Sequence, residues 1–381
     1  MEHSNTVNEL EQLSDLENIY NEYIEKKGSK PSFISHWDPN LHYRKKIAEK
    51  MVFPNQLPFV GYNYSKRITN KYDLLKRIDI KKEMGITLSP NGTISLNLVF
   101  NFLKSQNINK IISLTPSYYI ITNLSKINNI PIENLSWERF IEENSYELQD
   151  STDNIIDENT LIYITNPIYS TGYYLDEIFN KLSNILKNNP WIILDESLSL
   201  RTSSIMKYFT NNSKVISIYS PHKTICVNAY KFSFIVHDKK FSSYFEQWTD
   251  VVYGGLGRES ISAMEHYLSE NFLDMEKYIL TEATKNKNLL INKVKDSSIY
   301  FDENTSGHFI SIHYPNIKAS IGNDLKKLKE MVFNSGLSFI PNIRNSARSN
   351  GTFSYRINLL RIDEKSLGGI VRLHSYLTSF K

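Results

Sequence analysis

The stretch VISIYSPHK, residues 215–223, joins a short apolar run to a polar end that carries a lysine. Val, Ile and Tyr are enriched in strands, and a short apolar run bounded by turn residues is typical of a strand buried on both faces. We predict a strand from Val215 to Tyr219. A lysine placed just after such a strand, as Lys223 is, can be a solvated surface residue or an amine that reacts with a carbonyl compound.

Similar apolar runs recur along the chain and alternate with helical patterns. The predicted strands are Lys110–Leu114, Leu161–Thr165, Trp191–Leu194, Val215–Tyr219 and Lys231–Val236. The predicted helices are Tyr72–Met84, which Gly85 would close, Gly92–Lys104, Tyr118–Asn128 and Leu175–Lys187. Strands that alternate with helices indicate an α/β fold with a mostly parallel sheet covered by helices on both faces.

After Gly257 the pattern changes to an α+β arrangement. The predicted elements there are a helical stretch Glu259–Lys295, strands Ser298–Phe301, His308–His313 and Thr352–Leu359, and helices Asn323–Asn334 and Glu364–Phe380. A further amphipathic helix is predicted from Ser14, as N-cap, to Lys27. We therefore predict three parts: an N-terminal arm (1–50) that packs on the smaller domain, a large domain (51–257), and a long connecting helix with a small C-terminal domain (258–381).

The composition excludes several classes of protein. The 381 residues include one Cys, 40% hydrophobic and 12% aromatic residues, and carry a net charge of +3. This is the composition of a globular chain, with no disulfide framework and no multi-cysteine metal site. The small net charge is unlike that of a dedicated nucleic-acid binder, and no run approaches the ~20 apolar residues that cross a bilayer. The N-terminus lacks a secretory signal, so we expect a cytoplasmic protein.

No metal site is expected either. The nine His residues lack metal-ligand spacing, and His308 and His313 would face opposite sides of a strand. The lone Cys226 lies in an apolar stretch and is interpreted as a buried structural thiol.

Four polar segments follow predicted strands or begin a predicted helix. Open α/β sheets bind ligands at the carboxyl ends of their strands, so these segments are candidate site residues. They are Asn91-Gly92-Thr93, Asn166 through Gly172, Asp195 and Ser220 through Lys223. Taken singly, each has an ordinary structural explanation: a helix start, a turn, a helix cap or surface carboxylate, and a solvated lysine.

The order of these segments resembles that of the class I/II aminotransferases, the aspartate aminotransferase-like enzymes of fold type I that use pyridoxal phosphate (PLP). The resemblance runs from about Tyr64 to Arg361. It implies a large domain with a mostly parallel seven-stranded sheet flanked by helices, and a small α+β domain. It also implies a homodimer with shared active sites, in which a tyrosine from the partner, matched here by Tyr64, reaches the cofactor phosphate.

The resemblance also implies roles for single residues. Lys223 matches the lysine that holds the cofactor as a Schiff base and moves protons, and Asp195 matches the carboxylate that pairs with the ring nitrogen. Tyr118 matches the aromatic residue stacked on the ring, and Arg356 matches the arginine that grips the substrate α-carboxylate. The implied phosphate contacts are Asn91, Gly92, Thr93, Ser220 and Lys231.

Several positions depart from the family pattern. The family motif Asn-Pro-Asn-Asn-Pro-Thr-Gly begins here with Asn166, but its second Asn, which in the family donates to the cofactor 3-oxygen, falls on Tyr169. Either the tyrosine hydroxyl reaches that oxygen from further away or the contact is lost. A tyrosine that often lies near the same oxygen is Leu198 here, so Tyr169 is a candidate substitute for both. Lys231 stands where the family commonly has Arg. Positions 229 and 233, often Gly, are Ala229 and Ser233.

The sequence is interpreted as a PLP-dependent aminotransferase that acts on an amino acid with a free α-carboxylate. Its small-molecule partners would be amino acids and keto acids. One alternative is a PLP enzyme of specialised metabolism that performs elimination, cyclisation, decarboxylation or oxidation. Another is a non-catalytic relative with a binding role, against which the presence of both Lys223 and Asp195 argues.

Overall fold

The computed structural model describes residues 9–51, 64–136, 156–169, 174, 182, 186–200, 203–294, 296, 298–301, 305, 307–341 and 352–379. The strands are β1 Ser32–Phe33, β2 Gly85–Ser89, β3 Lys110–Thr115, β4 Ile132–Ser136, β5 Thr160–Thr165, β6 Trp191–Asp195, β7 Val215–Tyr219, β8 Ser233–His237, β9 Tyr300–Phe301, β10 Phe309–Lys318, β11 Leu337–Ser338 and β12 Thr352–Asn358. The helices are α1 Glu9–Lys27, α2 Leu41–Lys50, α3 Asp73–Arg77, α4 Gly92–Ser105, α5 Ile120–Asn128, α6 Pro221–Thr224, α7 Ser242–Val252, α8 Arg258–Leu268, α9 Phe272–Val294, α10 Leu325–Ser335 and α11 Glu364–Thr378.

The central feature is a seven-stranded sheet with the order β2-β8-β7-β6-β5-β3-β4. Strand β8 runs antiparallel to both of its neighbours, and the other pairs are parallel. The inner strands β5, β6, β7 and β8 are buried along their whole length, which explains their continuous apolar runs. The predicted α/β class and the mostly parallel sheet are confirmed.

A three-stranded antiparallel sheet of order β12-β10-β9 follows in the C-terminal part. Helices α10 and α11 pack together beside the short parallel pair β1 and β11. The N-terminal helix α1 joins this group, because the Tyr23 ring packs on Phe333 with centroids 5.2 Å apart and Glu22 pairs with Lys329 at 2.6 Å. The predicted domain boundaries at residues 50 and 257 stay a prediction.

The predicted helix Tyr72–Met84 is wrong. Helix α3 covers only Asp73–Arg77, and Asp79 adopts a left-handed backbone with φ of 58°. Gly85 does not cap a helix but begins strand β2, which the sequence analysis did not predict. A Cβ at Gly85 would lie 2.6 Å from both His237 Nδ1 and Ser242 Oγ, so a close approach explains this glycine.

Two other predicted helices differ in their extent. The stretch Glu259–Lys295 is two helices, α8 and α9, because Ser269 has extended backbone and its hydroxyl donates to the His266 carbonyl at 2.7 Å. Ser14 lies inside α1 rather than at its N-cap, since the helix already includes Glu9.

Other predicted elements differ in smaller ways. Strand β10 extends to Lys318, and β4 was not predicted. Most of the predicted helix Leu175–Lys187 lies outside the described residues. No helix in the described part of the chain is both long and apolar enough to cross a membrane.

Two adjacent glycines in α11 provide a test of this packing. A Cβ at Gly369 would lie 2.6 Å from Leu337 Cδ2 and 3.1 Å from the Ser335 carbonyl, whereas one at Gly368 would meet only Arg372 Nη1, at 3.5 Å. We expect Gly369→Ala to lower the free energy of unfolding by about 1–3 kcal/mol through overpacking. The control Gly368→Ala should raise it by about 0.5–1 kcal/mol, the usual gain in a helix interior. Urea unfolding measures both, and equal effects of the two substitutions would contradict the packing described.

Candidate active site

The N-terminus of α4 forms one side of the candidate site. It follows β2, and Asn91 caps it by accepting a hydrogen bond from the Ile94 N–H at 3.0 Å. Gly92 and Thr93 occupy the first turn, where backbone N–H groups have no partner within the helix and the helix dipole favours an anion. The Thr93 hydroxyl lies 3.1 Å from the hydroxyl of Tyr118.

Position 92 leaves little room for a side chain. A Cβ there would lie 2.5 Å from Ser220 Oγ and 3.2 Å from Ser197 Oγ. Ser220 follows β7 and Ser197 follows β6, and the Ser197 hydroxyl donates to Ser220 Oγ at 3.2 Å. The start of α4 and the ends of two neighbouring strands therefore form one concave group of hydroxyls and backbone N–H groups, which we call the hydroxyl cup (residues 91–93, Ser197 and Ser220).

A chain of buried serines supports the hydroxyl cup from below. Ser233 Oγ lies 3.0 Å from Ser220 Oγ, accepts from the Ser95 hydroxyl at 2.9 Å and donates to the Tyr219 carbonyl at 2.7 Å. Ser233 stands where the family pattern often has Gly. Its hydroxyl therefore holds Ser220 in place, a contact that the sequence analysis did not identify.

Asp195 ends strand β6 and is almost fully buried. Its Oδ2 accepts from the Tyr163 hydroxyl at 2.6 Å, and its Oδ1 accepts from the Ser197 N–H at 3.0 Å. Burial and the charge of Asp195 raise the pKa of Tyr163, so the phenol stays protonated and remains a donor. These contacts fix the orientation of the carboxylate, and the Asn166 N–H binds the Asp195 carbonyl at 3.0 Å.

Lys223 lies in the short helix α6, one turn beyond the hydroxyl cup. Its Nζ is 5.1 Å from the ring centroid of Tyr118 and 5.5 Å from that of Trp37. Burial lowers the pKa of the Lys223 amine, the charges of Arg356 and Lys231 lower it further, and Asp195 opposes the shift. The free-base form of the amine, which is the nucleophile and the base, is therefore more populated than in a solvated lysine.

The neighbouring His222 does not share this environment. Its Nδ1 donates to the Phe232 carbonyl at 2.7 Å, and burial lowers its pKa to about 3. His222 is therefore a neutral, buried packing residue.

Aromatic rings line the space in front of Lys223. The Tyr118 and Tyr169 centroids are 5.5 Å apart, and Tyr169 lies 6.5 Å from Trp37. The Tyr169 N–H binds Thr165 Oγ1 at 3.1 Å, so its backbone is anchored at the end of β5. Burial raises the pKa of Tyr118, which keeps its hydroxyl protonated beside Thr93.

Arg356 approaches from the antiparallel sheet and is buried. Its guanidinium carbon lies 4.1 Å from the centroid of Trp37 and 5.2 Å from that of Phe309, and its Nη2 donates to the Ser35 carbonyl at 2.7 Å. The planar guanidinium of arginine stacks on aromatic faces in this way, whereas the ammonium of lysine does not. Trp37 therefore contacts both Arg356, the candidate residue for binding a carboxylate, and Lys223, the candidate catalytic amine.

The structure does not bring every predicted residue together. Lys231 is exposed and affects Lys223 and His222 through its charge. The Tyr64 ring contacts the cations of Lys66 and Arg67, at 5.8 and 5.3 Å. Thr171 and Gly172 lie outside the described residues.

Two further expectations concern cysteine and metals. Cys226 is buried, as predicted, and burial raises the pKa of its thiol. In the described ranges, no group of three His, Cys, Asp or Glu side chains has the arrangement of a metal site.

Sequence analysis missed Trp37, Tyr163, Ser197 and Ser233. Tyr163 and Ser233 lie within apolar strands, and the pairing of neighbouring strands is what brings their hydroxyls to the site. Trp37 lies in an irregular segment before α2, where no periodic pattern marks it. Two of these residues carry a sequence signal: Ser197 follows the predicted strand end Leu194 by three residues, and Ser233 stands where the family pattern often has Gly.

No family model matches the sequence, and no curated protein matches it. Solved structures do match over nearly the whole chain. Aspartate aminotransferase from Thermotoga maritima is 16% identical, with 96% of this chain and 97% of that chain covered and a TM-score of 0.74. An archaeal alanine:glyoxylate aminotransferase is 18% identical, with full coverage of both chains and a TM-score of 0.74. A PLP-bound structure from Clostridium difficile 630, described as that of an aminotransferase, is 20% identical, with 94% and 96% covered and a TM-score of 0.67.

These structures show which fold the chain has. It is the fold of the aspartate aminotransferase-like enzymes, the fold type I that the sequence resemblance implied. At these identities, the likeness extends to the fold and leaves the substrate and the reaction to be argued from the site.

The close approach at Gly92 can be tested without any ligand. We expect Gly92→Ala to lower the free energy of unfolding by about 1–3 kcal/mol, because its Cβ would overlap Ser220 Oγ. In a Ser220→Ala background the same substitution should cost clearly less, since the overlapping atom is gone. A double-mutant cycle by denaturant unfolding measures the difference, and strict additivity would show that the two residues do not meet.

Proposed function

We propose that this chain is a PLP-dependent aminotransferase acting on an amino acid with a free α-carboxylate. The observation that carries the proposal is the placement of the Lys223 amine. Its Nζ lies 5.1 Å from the centroid of the Tyr118 ring, and the Tyr118 hydroxyl reaches the hydroxyl cup. The charges of Asp195 and Arg356 both act on the pKa of this amine. An amine, a carboxylate, an anion site and a buried guanidinium thus share one site.

The residues of the site fit pyridoxal phosphate. The hydroxyl cup offers backbone N–H groups and hydroxyls to a phosphate, and it leaves room only because residue 92 has no Cβ. Asn91, Gly92, Thr93 and Ser220 would hold the phosphate, with Lys231 adding charge. Asp195 would pair with the ring nitrogen and Tyr118 would stack on the ring, while Asn166 and Tyr169 are proposed further contacts.

The cofactor, when bound, supplies an electron sink for the carbanion that forms at the amino-acid Cα. The chain's own residues bind the substrate and move the proton. Lys223 Nζ would hold the cofactor, then accept the Cα proton as a general base and return it, and its lowered pKa favours the free base. Arg356 would bind the α-carboxylate with two parallel hydrogen bonds.

Trp37 and Phe309 support the role proposed for Arg356. Their rings lie 4.1 and 5.2 Å from the guanidinium carbon, and they pack on one another with centroids 5.0 Å apart. They keep water from the guanidinium and limit its rotation. A substrate carboxylate would therefore bind a guanidinium that is already oriented and weakly solvated. Weak solvation strengthens the charge-assisted hydrogen bonds between the two groups.

A homodimer with shared active sites forms part of this proposal. Helix α7 exposes Trp248, Val251 and Val252, which are 41%, 76% and 51% accessible. The same helix holds the segment after Tyr64, because Asp250 Oδ1 accepts from the Ser65 N–H at 2.6 Å. An apolar face of this kind is suited to a second copy of the chain, which would place Tyr64 next to the partner's site.

The first test of the proposal is cofactor uptake. The purified protein with added PLP should show visible absorbance that single amino acids bleach, and keto acid should form without ammonia release. Lys223→Ala should abolish the absorbance of the Schiff base and the activity, whereas Lys240→Ala, which removes an exposed lysine, should leave both unchanged. A wild-type protein that takes up no PLP would overturn the proposal, and ammonia release would favour elimination over transamination.

The second test concerns the α-carboxylate. Arg356→Lys keeps the charge but loses the planar fork and its stacking on Trp37. We expect KM for the amino acid to rise on the order of 10- to 100-fold, which corresponds to the loss of a charge-assisted hydrogen bond. The control compares the amino acid with the matching amine that lacks the carboxylate. If the variant discriminates between the two as strongly as the wild type does, Arg356 does not bind the carboxylate.

A further inference from the structure

A cavity of about 570 Å³ lies apart from the residues of the candidate active site. Its wall is built from α1, the parallel pair β1 and β11, the segment before α2, the first turn of α2 and the turn Leu359–Arg361 that follows β12. Its lining includes Leu16, Tyr20, Phe33, His36, Arg44 and Arg361. Its volume is within the range of small-molecule sites.

Two guanidinium groups line this cavity, those of Arg44 and Arg361, and their positive charges repel each other. Arg361 Nη1 donates to the Asp38 carbonyl at 2.8 Å, which holds the side chain in place. Burial and the charge of Arg44 lower the pKa of Arg361, and the charges of Asp38 and Asp363 oppose this shift. Within the described residues, neither Arg44 nor Arg361 forms an ion pair with a carboxylate. A bound anion would relieve this repulsion.

The cavity wall also carries two acidic residues, Glu17 and Asp38, and neither forms an ion pair with Arg44 or Arg361. The Asp38 carboxylate accepts from Asn228 Nδ2 at 2.7 Å, and Glu17 is exposed on α1. Burial and the charge of Arg361 lower the pKa of His36, and the charge of Asp38 opposes the shift. Its Nδ1 accepts from the Asp38 N–H at 3.0 Å, so the ring proton is on Nε2 and that nitrogen is a further donor.

The rest of the wall is apolar. Leu16 is buried, and Tyr20 and Phe33 are half-buried, so both rings present part of their surface to the space beside the two arginines. We propose that this cavity binds a small organic anion, whose carboxylate or phosphate lies on Arg44 and Arg361 and whose apolar body packs against Leu16, Tyr20 and Phe33. The proposal does not depend on the chemistry of Lys223.

The cavity and the candidate active site are neighbours along one segment. Trp37 stacks on Arg356, while the adjacent residues His36 and Asp38 line the cavity. Arg356 is itself a candidate anion site. An experiment on the cavity must therefore separate binding at Arg44 and Arg361 from binding at Arg356.

The experiment is calorimetric titration of the full chain with phenylacetate and, separately, with phenyl phosphate. In an Arg356→Lys background we expect saturable binding of at least one probe, and the two probes distinguish a carboxylate ligand from a phosphate ligand. Adding Arg44→Gln should weaken that binding on the order of tenfold or more, as the loss of a charged donor does. The matched control is Lys45→Gln, which removes the same charge from the next exposed residue of α2 and should leave the affinity unchanged.

Two results would overturn the proposal. One is the absence of saturable binding of either probe by the Arg356→Lys protein. The other is an equal effect of Arg44→Gln and Lys45→Gln, which would mean that the probes respond only to net charge. Because Arg44 is exposed, its substitution should not impair folding, and a thermal melt of each variant checks this. Failure of PLP uptake would leave this titration unaffected, so the two proposals can fail independently.

Discussion

Parallel pairing of the central strands is the constraint on which the candidate site depends. Thr165 pairs with Asp195, and Asp195 pairs with Ile218, so β5, β6 and β7 end at nearly the same level. The residues that follow these strands are therefore delivered to one edge of the sheet. Asn166, Asp195 and Ser220 come together for this reason, although more than fifty residues separate the first from the last. The strands are buried on both faces, which makes a slip in register costly.

Close backbone approach completes the arrangement at that edge. The missing Cβ of Gly92 lets α4 begin against Ser220, and the hydroxyls of Ser197, Ser220 and Ser233 fill the space below it. Buried hydroxyls need partners, and here each serves as a partner of the next. The Ser233 hydroxyl, at a position that is often Gly in the family pattern, gives this cup a polar floor.

The segment Ser35–Asp38 contributes the other side of the site from a distant part of the chain. The Ser35 carbonyl and the Trp37 ring hold Arg356, and the same ring lies 5.5 Å from Lys223. The neighbouring residues His36 and Asp38 line the cavity that contains Arg44 and Arg361. The charges of Arg44, Arg356 and Arg361 all lower the pKa of His36 in this irregular segment.

Local sequence patterns predicted most of the large sheet. Strand β7 has the predicted bounds, and β3, β5 and β6 differ from prediction by one residue at an end. The errors fall where local pattern and tertiary contact disagree. Gly85 follows an amphipathic stretch and was interpreted as a helix end, but it is a strand residue that faces His237. The helix over 259–295 was predicted without its break, because Ser269 has no strong sequence signal of a helix end.

The sequence by itself determined the α/β class, the likeness to the fold-type I enzymes and the identity of the polar residues that follow the strands. Periodicity and strand-end position are local properties, and a single sequence displays them directly. Only the tertiary structure decided which groups meet: Tyr163 with Asp195, Gly92 with Ser220, and Trp37 with Arg356 and Lys223. These contacts join residues far apart in the chain, and strand pairing and helix packing, rather than any local pattern, set their distances.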